Sequence, residues 1–148
     1  EGVDMFGDPT NDKSFNEKDP LSKYKAKAEF GFKFMDILGI DYYYFHNVDI
    51  ASKGKNLKET FENMEIMFDY ILELQKKYNK KLLWGTANNF SDKKFMLGAA
   101  TSSNADVYAI AAAKVKQTID ATIKLGEQVM CFGVEEKDMK HYLIQIWS

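Results

Sequence analysis

The sequence predicts an α/β protein of about three βα units, with parallel strands joined by crossover helices. Two observations carry this. Short apolar runs alternate with longer stretches in which apolar residues recur every three or four positions. The runs begin near residues 40, 81 and 128, and each interval is long enough for a helix to cross back over the sheet.

Asp19-Pro20 reads as an N-cap followed by proline at the first helical position. From there Leu21, Tyr24, Ala28, Phe32, Met35 and Leu38 fall on one helical face, and Gly39 stops the helix. Ile40 to Phe45 is a short apolar and aromatic run, the mark of a buried strand. Asn56 can cap a second helix with Phe61, Met64, Phe68, Ile71 and Leu74 on one side, ending near Asn79. Lys81 to Asn88, "KLLWGTAN", is the next strand with its exit loop. Asn104 or Asp106 starts a third helix, predicted to bury Val107, Ile110, Val115, Ile119 and Ile123 and to end at Gly126. Gln128 to Phe132, "QVMCF", is the third strand. The stretch up to Asp19 and the segment Asn88 to Ser103 read as long loops, which are usually functional beside a parallel sheet.

Composition bounds the function. The chain has 148 residues, 45% of them hydrophobic, enough for one domain with a core. It falls short of the about 250 residues of a complete eight-unit barrel. Twenty basic and 22 acidic residues are mixed along the chain, so no basic stripe points to nucleic acid. No apolar run approaches the roughly 18 residues of a membrane span, and no signal-peptide pattern is present. The single cysteine, Cys131, excludes an internal disulfide and fits a reducing compartment, so a cytoplasmic location is expected. The sequence opens on Glu1 rather than Met, so a preceding segment is expected.

The chemistry-bearing residues gather at predicted strand ends. His46 closes the first strand and Asp49 follows in its exit loop; Trp84, Gly85 and Thr86 sit at the same end of the second. That end is where parallel α/β sheets build sites. A histidine beside a carboxylate can hold one tautomer and move a proton near neutral pH. The same spacing also suits a histidine satisfied by a backbone carbonyl, and Trp84 equally suits a core. Phe6, in "DMFG", reads on its own as a packing residue, and Cys131 and His141 carry no signal by themselves.

Taken together, the segments resemble xylose isomerase. They are "DMFG" (Asp4 to Gly7), "KAEFGFKFMDILGIDYYYFHNVDI" (Lys27 to Ile50), "KLLWGTANNF" (Lys81 to Phe90), "GAAT" (Gly98 to Thr101) and "TIDATIKLG" (Thr118 to Gly126). The resemblance runs from about Gly2 to Gly126, is closest to the larger of the two classes of that family, and rests most on "FHxVD" followed by "LLWGTAN". It implies a partial TIM (β/α)8 barrel and a homotetrameric enzyme that interconverts D-xylose and D-xylulose, with D-glucose and D-fructose as a further pair. It also implies two divalent cations, Mg²⁺ or else Mn²⁺ or Co²⁺. By motif, His46 matches the histidine that assists sugar ring opening and Asp49 the aspartate that orients it. Trp84 matches the tryptophan walling the substrate pocket, and Thr86 and Phe90 match its neighbours. Phe6 matches the aromatic that reaches the adjacent subunit's site. Asn47 departs from the pattern, where the family usually has a second aspartate. The cation ligands and the lysine that polarises the substrate oxygen belong to later strands that this sequence does not include.

After Gly126 the resemblance is expected to stop. The family continues close to "YVFWGGREGYETLFNTDME", whereas this chain reads "EQVMCFGVEEKDMKHYLIQIWS". Joining the last base of each codon to the first two of the next forces Val from Met130-Cys131, Glu from Met139-Lys140 and Leu from His141-Tyr142. All three match the family, and every other step from Phe132 to Ser148 permits the family residue. The expected division is therefore a partial barrel domain over residues 1–126 and a frame-shifted tail over 127–148, against the alternative of a divergent C-terminus. Two rivals stand beside the isomerase: another sugar-processing barrel with a strand-end histidine, and a non-enzymatic chain, either an inactive, poorly folded truncation or a subunit-association remnant.

Overall fold

The computed structural model describes residues 19–127 and 129–131. It is α/β, with three parallel strands and four α-helices. The predicted "DMFG" loop with Phe6, and the tail from residue 132 with His141, lie outside the described residues.

Helix α1 spans Pro20–Leu38. The Asp19 carboxylate accepts from the Ser22 amide at 2.8 Å, and Gly39 closes the other end at φ 68°. Gly39 N–H donates to the Asp36 carbonyl and Ile40 N–H to that of Met35, the paired bonds of a glycine-terminated helix. Ile40 is spent on that cap, so strand β1 begins later than predicted, at Tyr42, and runs to His46. A single helical turn, α2 (Asn47–Ile50), follows directly and was not foreseen. Helix α3 (Leu57–Tyr78) starts at the Asn56 side chain, which accepts from the Glu59 amide, and ends on Asn79 in the left-handed conformation. Strand β2 is Lys81–Thr86, helix α4 is Ala105–Lys124, and strand β3 is Met130–Cys131. Of the two candidate caps for α4, Asn104 does the work: its Oδ1 accepts from the Asp106 and Val107 amides. A short 3-10 turn at Lys93–Phe95 lies in the loop between β2 and α4.

The strand order is β1-β2-β3, in sequence, with all pairs parallel. One core joins Phe32 of α1, Phe45 of β1, Met64, Phe68, Ile71 and Leu74 of α3, Leu82 of β2 and Ala121 of α4. All three long helices therefore cover the same face of the sheet. Phe68 is wholly buried, worth about 2–3 kcal/mol of apolar transfer on its own. The opposite face is open: Tyr42 and Tyr44 on β1 are more than half exposed, the alternation that a strand's two-residue period imposes.

The buried face of α4 is the predicted one only at its start, where Val107 and Ile110 pack against the cluster of Phe95, Ala99 and Ala111. Ile119 and Ile123 are exposed, Ile123 by 61%, while Ala111, Gln117, Thr118, Ala121 and Thr122 are buried. The cause is a close approach. Gly85 has no side chain, Thr122 sits against it, and small residues let α4 lie low on β2. Thr118 and Thr122 satisfy their hydroxyls on backbone carbonyls one turn back, those of Lys114 and Thr118, so burying them leaves no unpaired donor. A second, smaller core of Phe95, Ala99 and Ala111 pins the β2–α4 loop under the start of α4.

Candidate functional site

The sheet register sets the site. His46 ends β1 and pairs with Thr86, which ends β2; two positions back, Tyr44 pairs with Trp84. His46, Thr86, Tyr44 and Trp84 therefore share the face turned away from the helices. The Tyr44 and Trp84 rings stack at 5.4 Å and 21°. Thr86 is buried, and His46 and Trp84 are half-buried.

Beyond β2 the chain folds back so that Phe90 meets the His46 ring edge-on, with centroids 6.0 Å apart and planes at 89°. Of the predicted residues, His46, Thr86 and Phe90 thus form one cluster at the C-terminal ends of two adjacent strands, and Trp84 lines the sheet face just below it.

Asp49 lies on α2 and is exposed. It shares with His46 a cavity of about 410 Å³ between α1 and β1, bordered also by Tyr24, Lys27, Gly31 and Tyr44. No hydrogen bond joins the two side chains. The Asp49 charge instead acts on Tyr24, whose hydroxyl is pushed up first by burial and then by that carboxylate. Deeper in the same cavity, burial drives the Tyr43 hydroxyl far above its ordinary value. Tyr43 stacks edge-on against Phe32 at 5.0 Å and is a core residue rather than a proton donor.

Three further residues hold the site: Asn47, noted in the sequence only as a departure from the family pattern, and Asn88 and Lys114, which the sequence reading gave no role. Asn47 is 1% exposed, and its Oδ1 accepts from the Asn88 amide at 2.9 Å, tying the end of β1 to the exit of β2. Its Nδ2 has no partner among the described residues. The Asn88 side-chain oxygen accepts from the Phe90 amide, the Ser91 amide and the Ser91 hydroxyl at 3.2, 3.0 and 2.9 Å. The Asn88 carbonyl accepts from Lys114 Nζ of α4 at 2.5 Å. That ammonium lies 5.0 Å over the Phe95 ring. Burial pulls the Lys114 amine down to about 8, against the attraction of Asp92. Asp92 is itself held down at about 2, chiefly by its bond to Lys53. Turn-forming asparagine in "NNF" was a readable signal for Asn88; no sequence signal separates Lys114 from the other lysines.

Among the described residues, no group of three or more His, Cys, Asp or Glu side chains is placed to hold a metal ion. The donors His46 and Asp49 do not make a cation site between them. The arrangement can orient an imidazole between an aromatic edge and a polar strand end, open to solvent on one side. That suits a group that accepts and returns a proton on a bound hydroxylated molecule. No helix among the described residues is long and apolar enough to cross a membrane.

No family model matches the chain. Individual relatives do. The chain is 45% identical over 129 residues to xylose isomerase of Staphylococcus xylosus and 43% identical over 137 residues to that of Tetragenococcus halophilus. It is 46% identical over 133 residues to the enzyme of Thermotoga neapolitana. These matches take in 87, 92 and 89% of this chain but 29, 32 and 30% of the relatives, so the chain spans about a third of their length. Each matched stretch is longer than the 126 residues before the expected tail and so runs at least a few residues past Gly126.

Proposed function

We propose that this chain is a segment of a xylose isomerase and that His46 serves the opening of the cyclic sugar. The observation that carries the reading is identity of 43 to 46% with xylose isomerases over about nine tenths of the chain. The clustering of His46, Thr86 and Phe90 at one end of parallel strands, with Trp84 beside them, supports the assignment of the site. The in-sequence strand order with every long helix on one face supports a partial (β/α)8 barrel, because a doubly wound sheet reverses its order and carries helices on both faces.

Ring opening is a proton transfer. The anomeric hydroxyl gives its proton to one imidazole nitrogen of His46, and the imidazole returns it, directly or through water, to the ring oxygen as that oxygen's bond to the anomeric carbon breaks. The product is the open-chain aldose, with no net change in protons. Phe90 fixes the ring plane from one side, and Trp84 and Tyr44 offer apolar walls to the sugar's carbon face. Asp49 borders, with His46, the cavity beside α1.

The second half of the reaction moves a hydride between adjacent carbons and needs charge stabilised on two sugar oxygens. The family's two divalent cations supply that. The residues described here do not form a site for them, so no part of the hydride shift is assigned to this chain. A homotetramer, a cytoplasmic location, and Mg²⁺, Mn²⁺ or Co²⁺ as the cations belong to the same proposal. So does Phe6 as a contributor to a neighbouring subunit's site. The frame-shifted tail is also part of it, with the shift at or shortly after Gly126; the nucleotide sequence through that codon tests it directly.

The deciding experiment joins residues 1–126 to the remaining family segments and assays conversion of xylose to xylulose with added cation. Activity that vanishes on chelation supports the reading. A folded, full-length protein with no isomerisation of any aldose overturns it.

A further inference from the structure

We propose that Asn88 is a positioning residue that sets the orientation of the His46 imidazole through Phe90, held in turn by Asn47 and Lys114. The inference rests on His46 being the working group of the site.

Asn88 is 6% exposed and sits where three elements meet. Its backbone amide reaches β1 through Asn47, its backbone carbonyl reaches α4 through Lys114, and its side chain reaches forward into its own loop. Each of the three forward bonds ends on the one oxygen, Oδ1. They fold residues 88 to 91 into a tight turn, and that turn delivers Phe90 to the His46 ring at 89°. Two of the anchors are side chains placed with little freedom: Asn47 is buried, and Lys114 lies between a carbonyl and an aromatic face. Asn47 also follows His46 directly, so the bond that locates the loop locates the end of the histidine's own strand.

The geometry makes a sharp distinction between substitutions. All three forward bonds need only an acceptor at Oδ1. Asn88→Asp keeps that acceptor and the side-chain shape, and Lys114 is near enough to favour the charge. Asn88→Ala removes the acceptor and leaves two backbone amides and a hydroxyl without it. A residue that merely stabilised the fold would show no such link to the histidine ring.

The chain has two histidines, so histidine-selective NMR of the full chain is simple to assign, with His46→Asn identifying the His46 signals. Phe90→Leu gives the reference for a His46 ring without its aromatic neighbour. The expected result is that Asn88→Ala moves the His46 ring signals toward their Phe90→Leu positions, and that Asn88→Asp leaves them where the parent has them. Lys114→Met, which keeps the side-chain length and removes the amine, should move them part of the way. If Asn88→Ala does not fold, Lys114→Met and Asn88→Asp carry the test. Unchanged His46 signals in a folded Asn88→Ala or Lys114→Met overturn the proposal, as does an Asn88→Asp that behaves like alanine. These readouts do not depend on catalysis, so absence of isomerase activity in the extended protein would defeat the functional reading and leave this result standing.

Discussion

Gly85 near the C-terminal end of β2 and Thr122 on α4 touch so closely that a methyl group at position 85 would overlap the threonine hydroxyl. The Phe45 ring closes the same space from β1, with an atom 3.0 Å from where that methyl would be. Gly85→Ala should therefore destabilise the fold by about 1–3 kcal/mol, the usual cost of overpacking. Thr122→Ala removes the overlapping oxygen, so the double variant should lose less than the two singles combined. Denaturant midpoints check this. An additive pair, or a Gly85→Ala as stable as the parent, would show that α4 lies farther from the sheet.

Lys114 gives the fold a pH dependence with a definite sign. Its folded value of about 8 lies below the ordinary 10.5, so the folded chain gives up the proton first. Between these values the unfolded chain binds more protons, and stability rises with pH through that window. Below about pH 8 the cost of the buried charge is fully present, at most about 3 kcal/mol. The parent should gain stability from pH 8 to 10.5 relative to Lys114→Met. Parallel stability curves for the two proteins would show that the amine is not held in a charge-excluding setting.

In the extended, active protein, His46→Asn should slow turnover of the cyclic sugar by about 10²-fold or more, the range of a lost acid–base group. An aldose too short to form a ring bypasses that step and should be affected much less. Steady-state rates on the two substrates decide the matter. Equal losses on both would place His46 in the later chemistry or in the fold.

The 148-residue chain alone should convert no xylose at any concentration of Mg²⁺, Mn²⁺ or Co²⁺. Among its described residues no donor set binds a cation, and Tyr42 and Tyr44 lie on a sheet face that no helix covers. A coupled assay for xylulose, with and without metal, is sufficient. Metal-dependent turnover by this chain would mean that the donor set has been misjudged.

Helix boundaries were legible because they are local. Asp19, Asn56 and Asn104 announce their caps by residue type, and Gly39 and Asn79 their ends. The buried face of α3 was equally plain, since apolarity and burial coincide there. On α4 they part company. Ala111, Lys114, Thr118, Ala121 and Leu125 follow each other at steps of three and four, but all except Leu125 are small or polar, and Ile119 and Ile123 beside them drew the reading to the wrong face. What decides that face is Gly85, a residue on another element, and no periodicity within α4 reports it. The strand-end position of His46, Thr86 and Trp84 followed from alternation alone. The Asn47–Asn88–Lys114 connection did not, because it joins residues 41 and 26 positions apart.

The order β1-β2-β3 also bears on how the protein is made. The extensive contacts join each strand to the next strand and each long helix to the next long helix: β1 to β2, β2 to β3, α1 to α3 and α3 to α4, with α4 also on β2. Each parallel pairing still closes a crossover of about 40 residues, Tyr42 with Lys81 and Gly85 with Met130, and pairings of that separation form slowly. As residues leave the ribosome, α1, β1 and α3 can settle together while β2 is still being synthesised. Each later strand then finds a finished edge to add to, so the sheet is laid down in the direction of translation.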